Sequence, residues 1–476
     1  MTRRKTMLSV PGFLLLAAAF GAGRGAAVLP VSFTNGELLG RPTDTSVTVN
    51  MMAAEDVEAY FEYGLQPGAY TGKTTAALYP GNVPLVAVMT PLQANSRYYY
   101  RTRYRRPGEA DFQAREEHTF RTKRSAASTF VFDIEADPHL DENSTPDLYR
   151  TTLANILADA PDFLIDLGDT FFSEKQPVIN WDTIVARHLY LRTFFDRTCH
   201  SVPLFFALGN HEGEQGNVLD GTPNNLAVWA ARARLLYYPN PLPDSFYSGD
   251  STSEPFVGLR ENYDSWEWGP ALFVVLDPYW YTTVKSATDN WTMTLGETQY
   301  RWFKTVLETS AAKYKFVFCH QLVGGNGKDG RGGVEFAPYF EWGGKNLDGS
   351  DGFASKRPGW GLPIHSLMVK NGVTAFFHGH DHFYDKQDLD GVIYQLLPQP
   401  SHLGEGRPSQ ASEYGYAQGR ILGGSGHLRV TVSPEDVLVE FVRARLPQDA
   451  TAASPNAAVG DSYYVSAKAK KGGIRR

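Results

Sequence analysis

Five short apolar runs in this 476-residue chain each end in residues whose side chains bind metal ions. The run 129–134 leads to Asp137-Pro138-His139, 163–167 to Gly168-Asp169, and 203–208 to Gly209-Asn210-His211-Glu212. Further on, 315–318 leads to His320, and 373–377 leads through His378 to Gly379-His380-Asp381-His382. Continuous apolar runs of this length, bounded by glycine and polar residues, read as buried strands. Residues 147–160, 182–198 and 296–309 between them carry helical spacing, as does 363–370. Strand alternating with helix is the rhythm of a layered α/β core. In such sheets sites form at the carboxyl ends of the strands, so the five loops are expected to converge on one crevice. Gly379 lets the last of them bend tightly enough for His380 and His382 to emerge together. One histidine-rich turn is weak testimony, but five ordered ligand sets are not.

The composition is that of a globular protein, with 42% apolar and 20% charged residues. The length implies two to three domains. A formal net charge of −7 gives no general attraction to nucleic acid or to an anionic membrane, so an anionic substrate must be held by local charge. Residues 1–27 read as a cleaved export signal: Arg3, Arg4 and Lys5, an apolar run over 10–20, then small residues at Gly25-Ala26-Ala27. The run is shorter than the roughly 20 residues that a spanning helix needs. Arg3-Arg4 followed by Met7-Leu8 is a loose twin-arginine match, and a general secretory signal is the preferred reading. No other run reaches spanning length, so a periplasmic or extracellular protein without a transmembrane segment is expected. Cys199 and Cys319 are the only cysteines and are expected as two buried thiols rather than a disulfide framework.

Residues 28–124 read as all-β, with short β-branched and aromatic segments at 46–50, 59–63 and 85–88 separated by turn residues. In 98–104, Tyr98, Tyr100, Thr102 and Tyr104 share one face and Tyr99, Arg101 and Arg103 the other, as in a half-buried strand. With Arg105 and Arg106 these arginines form either an anion patch or, as preferred here, a solvated strand face. The catalytic unit is expected over 125–450, with 212–260 and the glycine-rich 324–361 as a rim, and 451–476 as a C-terminal tail.

The ordered motifs Asp137-x-His139, Gly168-Asp169, Gly209-Asn210-His211-Glu212, His320 and Gly379-His380-x-His382 resemble the signature of the calcineurin-like metallophosphoesterases over about residues 128–385. The β-rich segment ahead of them resembles the fibronectin III-like N-terminal domain of purple acid phosphatases and of some alkaline phosphatase D-like enzymes. The resemblance implies a four-layer α/β/β/α sandwich. It also implies two metal ions, one held by Asp137, His139, Asp169 and His382 and the other by Asp169, Asn210, His320 and His380, with Asp169 bridging. A hydroxide shared by the ions would attack phosphorus in line, and His211 would protonate the leaving oxygen. Purple enzymes carry a tyrosine three residues after the bridging aspartate, where this chain has Phe172, and their first motif usually lacks a histidine at the place of His139. A colourless Fe–Zn, Mn–Mn or Zn–Zn pair is therefore expected.

The function that follows is hydrolysis of a small-molecule phosphate monoester, with no nucleic-acid partner and the oligomeric state left open. A phosphodiesterase or nucleotidase with the same centre is the alternative, and a non-catalytic surface binding protein a third. His378 is expected to point away from the metals, Glu212 to support the ligands from behind, and His200 and Glu214 to be structural or solvent-exposed. His365 is read first as a core or surface histidine, with a phosphate contact as the alternative, and Lys328 and Arg331 either fold over the site to hold a phosphate or belong to a mobile, solvated loop.

Overall fold

The computed structural model describes residues 30–286 and 288–466, so the expected export segment and the basic stretch 468–476 lie outside the described residues. The N-terminal unit is a sandwich of two antiparallel sheets. Phe33–Gly40, Val47–Ala53 and Leu85–Met89 form one, and Val57–Gly64 with Arg97–Arg105 centres the other. Strict alternation along Arg97–Arg105 buries Tyr98, Tyr100, Thr102 and Tyr104. The outward arginines are neither an anion patch nor merely solvated. Arg101 and Arg103 pair with Glu62 at 2.5 and 3.2 Å, Arg105 with Glu58 at 2.8 Å and Arg106 with Glu55 at 2.7 Å.

The larger unit has two sheets packed face to face. The first runs in the spatial order Leu204–Phe206, Leu164–Asp166, Phe130–Glu135, Gly426–Val432, Asp436–Arg443, Val459–Ser466. The second is centred on the parallel strands Ala271–Val275, Tyr314–Phe318, Ala375–His378 and Val392–Leu396. Their inner faces meet in an aromatic core, where Phe132 lies 5.0 Å from Phe273 and Phe163 lies 5.4 Å from Trp268, centroid to centroid. Helices Pro146–Asp159 and Trp181–Phe195 cover the outer face of the first sheet through Leu153, Ile156, Leu191 and Phe194. Glu297–Thr309 and Ile364–Lys370 cover the second through Phe303, Leu307, Leu367 and Met368. These are the four layers that the resemblance implied.

Several expectations need correction. The segment 451–476 is not simply a tail, because Val459–Ser466 pairs antiparallel with Asp436–Arg443 and leans Tyr463 and Val465 on the inter-sheet core. Asp264–Trp268 is a further strand, with Trp266 and Trp268 inward and Glu267 out. The helix Leu226–Tyr237 is not part of a rim. It packs Ala230 and Ala233 against Ile184 of the neighbouring helix, and its backbone faces the sandwich, where Asn50 donates to the Leu236 carbonyl. Arg192, fully buried, completes that junction by donating to the carbonyls of Gly36, Asn50 and Tyr237. The sandwich is thus docked on the larger unit through a set of buried hydrogen bonds. The segment 324–361 contains two one-turn helices and buries Trp342. Both cysteines are buried free thiols. No helix among the described residues is long and apolar enough to cross a membrane.

Candidate metal centre

The strands Phe130–Glu135, Leu164–Asp166 and Leu204–Phe206 are parallel, and their carboxyl ends place Asp137, Asp169 and Asn210 on adjacent loops. The strands Tyr314–Phe318 and Ala375–His378 deliver His320, His380 and His382 to the same place from the other sheet. Asp137, His139, Asp169 and His382 form one group with donor atoms within 4.8 Å of one another, and Asp169, His320 and His380 form a second. Asp169 belongs to both. Its Oδ2 lies 3.5 Å from His139 Nε2 and 3.1 Å from His320 Nε2, and Asp137 Oδ1 lies 3.4 Å from His382 Nε2.

These side chains are buried, yet their inward atoms have no hydrogen-bond partner. Asp169 Oδ2, both nitrogens of His139, His320 Nε2, His382 Nδ1 and Asn210 Oδ1 are all orphaned. Buried polar atoms are normally paired, and here three of the unpaired ones face one another, with Asp169 Oδ2 3.5 Å from His139 Nε2 and 3.1 Å from His320 Nε2. A carboxylate, amide and imidazole donor set of this kind fits borderline transition cations. The backbone supports the same conclusion: Asp137, His139, Asp169, His380 and His382 all hold left-handed φ angles, between 47° and 77°. Five non-glycine residues in that region at one site are a concentrated investment of strain.

What holds the loops is a mesh of hydrogen bonds between them. Glu212 is its hub, accepting from the amides of Gly209, Asp169 (2.9 Å) and Thr170 (2.7 Å). The His380 amide donates to Asp137, and the Asp137 and His139 amides donate to the carbonyls of Gly168 and Asp169. His320 Nδ1 lies 2.9 Å from the Leu167 carbonyl, which fixes the tautomer that leaves Nε2 facing the centre. His380 differs, with Nε2 at 2.9 Å from the Asp329 carbonyl and Nδ1 as its other donor. Two glycines make the close approach possible. A Cβ on Gly379 would stand 2.5 Å from Asp137 Oδ2, and one on Gly209 would stand 2.3 Å from Asp169 Oδ1.

Electrostatics follow from the packing. Burial opposes ionisation of Asp137, but the imidazoles of His382 and His320 hold its carboxyl well below the usual range. Burial likewise opposes the charge on His320, yet Asp169 and Asp137 push it up to about 9. Burial, aided by the Asp169 charge, raises Glu212 to about 7.

Six of the seven residues singled out in the sequence as metal donors lie in the two donor groups, Asn210 lines the adjoining cleft on the next loop, and His211 stands beside them. Its Nε2 is 3.9 Å from Asp169 Oδ2, its Nδ1 bonds Glu174, and a fifth of its side chain is exposed. His378 stacks on Phe376, away from the centre, and His365 bonds Tyr394 and Asp390, so it does not reach the site. Glu214 is buried against Arg234, and His200 stacks on His118. Phe172, at the tyrosine position, packs 4.8 Å from His139 and 4.5 Å from His211. Sequence reading missed Glu174 as the partner of His211, Asp141 at 3.5 Å from His139 Nδ1, and Asp381, which fixes Arg331 at 2.9 Å. The fold brings two of these pairs together, since Glu174 lies 37 residues from His211 and Asp381 lies 50 from Arg331, whereas Asp141 is a near neighbour of His139 in the sequence. The centre opens into a cleft of about 310 Å³ whose walls include Lys175, Lys285, Lys328 and Arg331.

A four-layer α/β/β/α sandwich with two overlapping donor groups at the carboxyl edge of its sheets defines a metallophosphoesterase fold. Residues 131–384, more than half of the chain, match the sequence model described as calcineurin-like phosphoesterase, and the chain belongs to that family. Among solved structures it is similar to one titled "Structure of PhoD", with 15% identity, a TM-score of 0.67 and 95% of each chain covered. It is also similar to the purple acid phosphatase PPD1 from yellow lupin (Lupinus luteus) seeds, with 16% identity, a TM-score of 0.59, and 91% of this chain and 74% of that one covered. Identities this low make these likenesses of fold. No curated protein sequence matches the chain.

Proposed function

We propose that the protein is an exported, dimetal phosphomonoesterase. The observation that carries the reading is the position of Asp169 Oδ2, a buried carboxylate oxygen without a hydrogen bond, 3.5 Å from a donor of one group and 3.1 Å from a donor of the other. One ligand shared between two cation sites is the arrangement that two-metal hydrolysis requires. Asp137, His139 and His382 would hold one ion with Asp169, and Asn210, His320 and His380 the other. Bound there, the ions, of the Fe, Zn or Mn class, supply Lewis acidity at the phosphate oxygens and a nucleophile near neutral pH. The donor set is complete, which argues against a vestigial centre in a binding protein.

The chain's own residues supply the rest. His211, oriented through Nδ1 by Glu174, has Nε2 free toward the centre and is the group to protonate the leaving oxygen. Arg331, anchored by Asp381 and the His380 carbonyl, presents its guanidinium edge to the cleft, with Lys285 and Lys328 on the same wall. That excess of cations favours a monoester dianion over a diester monoanion. Export rests on the tripartite pattern of residues 1–27.

The test is hydrolysis of nitrophenyl phosphate and bis-nitrophenyl phosphate by the purified mature chain, after chelation and after adding back Mn, Zn or Fe singly. Activity that vanishes with chelation, returns with metal and prefers the monoester is expected. Preference for the diester would replace the monoesterase reading with the phosphodiesterase one, and activity that survives full metal removal would overturn the dimetal reading.

A further inference from the structure

A second kind of polar cluster lies inside the first sheet, away from the centre. Along Phe130–Glu135, Phe132 and Ile134 face the inter-sheet core, so Asp133 between them faces the helix layer. There it meets Asp159, the last residue of the helix Pro146–Asp159, and His427, near the start of the strand Gly426–Val432. The antiparallel register sets Asp133 directly opposite Arg429, which puts His427, two residues earlier, on the same face. His427 Nε2 is 2.9 Å from Asp159 Oδ2 and 3.6 Å from Asp133 Oδ2, and one donor atom from each of the three lies within 4.8 Å of the others.

Asp133 is the anomaly. It is fully buried, and neither carboxylate oxygen has a hydrogen-bond partner. A buried, unpaired carboxylate is among the costliest groups a fold can contain. The one nearby guanidinium does not serve it: Arg429 donates to Asp159 Oδ1 at 2.7 Å and to Glu440 at 2.9 Å. An ionised Asp133 would join Asp159 and Glu440 in setting three carboxylates against one guanidinium, and burial with the Asp159 charge pushes the Asp133 carboxyl well above its usual range unless a cation balances it. Separations of 2.9 and 3.6 Å between donors suit neighbouring ligands about 2.0–2.2 Å from one ion.

We propose that Asp133, Asp159 and His427 bind a third, structural divalent cation of the Zn or Mn class. It would tie the first core strand, the end of the first helix and the strand Gly426–Val432 together behind the catalytic edge. Its ligands are separate from those of the centre, so it stands or falls independently of the phosphatase reading.

The experiment is anomalous scattering from crystals of the full mature chain reconstituted with Zn(II), and separately with Mn(II), alongside metal analysis in solution. A peak between Asp133, Asp159 and His427 is expected, with about three metal equivalents per chain. Asp133→Asn, which keeps the shape and removes the charge, should lose that peak and one equivalent while the peaks at Asp169 remain. If wild-type crystals in either metal show density at Asp169 and none at the cluster, or none anywhere, a proton rather than a cation neutralises Asp133 and the proposal fails. The wild-type result decides the matter even where the variant does not fold.

Discussion

Replacing Gly209 by alanine tests the centre through geometry alone. The new Cβ would stand 2.3 Å from Asp169 Oδ1, 2.4 Å from the Asp169 nitrogen and 2.8 Å from Glu212 Oε2. An ordinary contact needs about 1 Å more, and every atom that must retreat belongs to Asp169 or to the carboxylate that holds its loop. Neither can move freely: Asp169 is shared by both donor groups, and Glu212 is pinned by the amides of Asp169, Thr170 and Gly209. Forcing the extra methyl in should cost about 1–3 kcal/mol of stability, and a shift of about 1 Å at the shared carboxylate should slow turnover on the order of 10²-fold. The control is Gly221→Ala. Gly221 has φ +78° but nothing within 4 Å of its Cβ, so that variant carries backbone strain without a clash at the centre. Urea unfolding, metal content and turnover of nitrophenyl phosphate would be measured on all three proteins. Gly209→Ala with two tightly held metals and wild-type turnover would refute the claim that Asp169 is held in place by the absence of that methyl.

Three other outcomes follow from the same geometry. His211→Asn should reduce turnover of an alkyl phosphate, a poor leaving group, by about 10²–10⁴-fold and that of nitrophenyl phosphate far less, with metal content unchanged; equal losses on both esters would remove His211 from the acid role. Arg331→Gln should weaken inhibition by inorganic phosphate about tenfold, roughly 1.4 kcal/mol, since the lost contact is a charge-assisted one; unchanged inhibition would take Arg331 out of the phosphate site. Asp385 is raised to about 7 by burial, with Glu335 adding to it, so the folded state keeps a proton that the unfolded chain releases near pH 4. Stability should therefore fall as pH rises from about 4 to 7, by up to ~4 kcal/mol, and level off above. Asp385→Asn should flatten that slope in urea unfolding, leaving the part due to other raised carboxyls such as Glu212, and parallel curves for the two proteins would contradict it.

The parts of the site readable in the sequence are those that repeat one local rule. An apolar strand followed at once by Asp, Asn or His announces both the strand and a candidate donor at its end, as at Asp137, Asp169, Asn210, His320 and His380. Alternation in Arg97–Arg105 was equally direct, because Tyr98, Tyr100 and Tyr104 report their face by period alone. Asp264–Trp268 offered the same signal in Trp266 and Trp268, blurred by polar Asp264 on their own phase and buried Ser265 on the opposite one. Val459–Ser466 was hidden because an edge strand exposes alternate residues to solvent and looks like polar tail. Pairings across the fold left no trace. Nothing near Arg192 says that it will close the junction with the sandwich, and nothing near Glu174 says that it will orient His211.

The least visible property is the one the chemistry depends on. Asp137, His139, Asp169, His380 and His382 each sit at positive φ, and each such residue costs on the order of 1–3 kcal/mol. Together that is comparable with the whole net stability of a typical domain, so no loop could hold the conformation alone. The loops hold one another instead. Glu212 gathers the amides of Gly209, Asp169 and Thr170, Asp137 receives the amide of His380, and the amide of His139 reaches the carbonyl of Asp169. Each loop is braced by an atom from a different strand, so the donors are fixed in place by the two packed sheets before any ion arrives. With the proposed ions bound, loops braced in this way would leave more of the binding energy for polarising an ester and less to be spent on ordering the site.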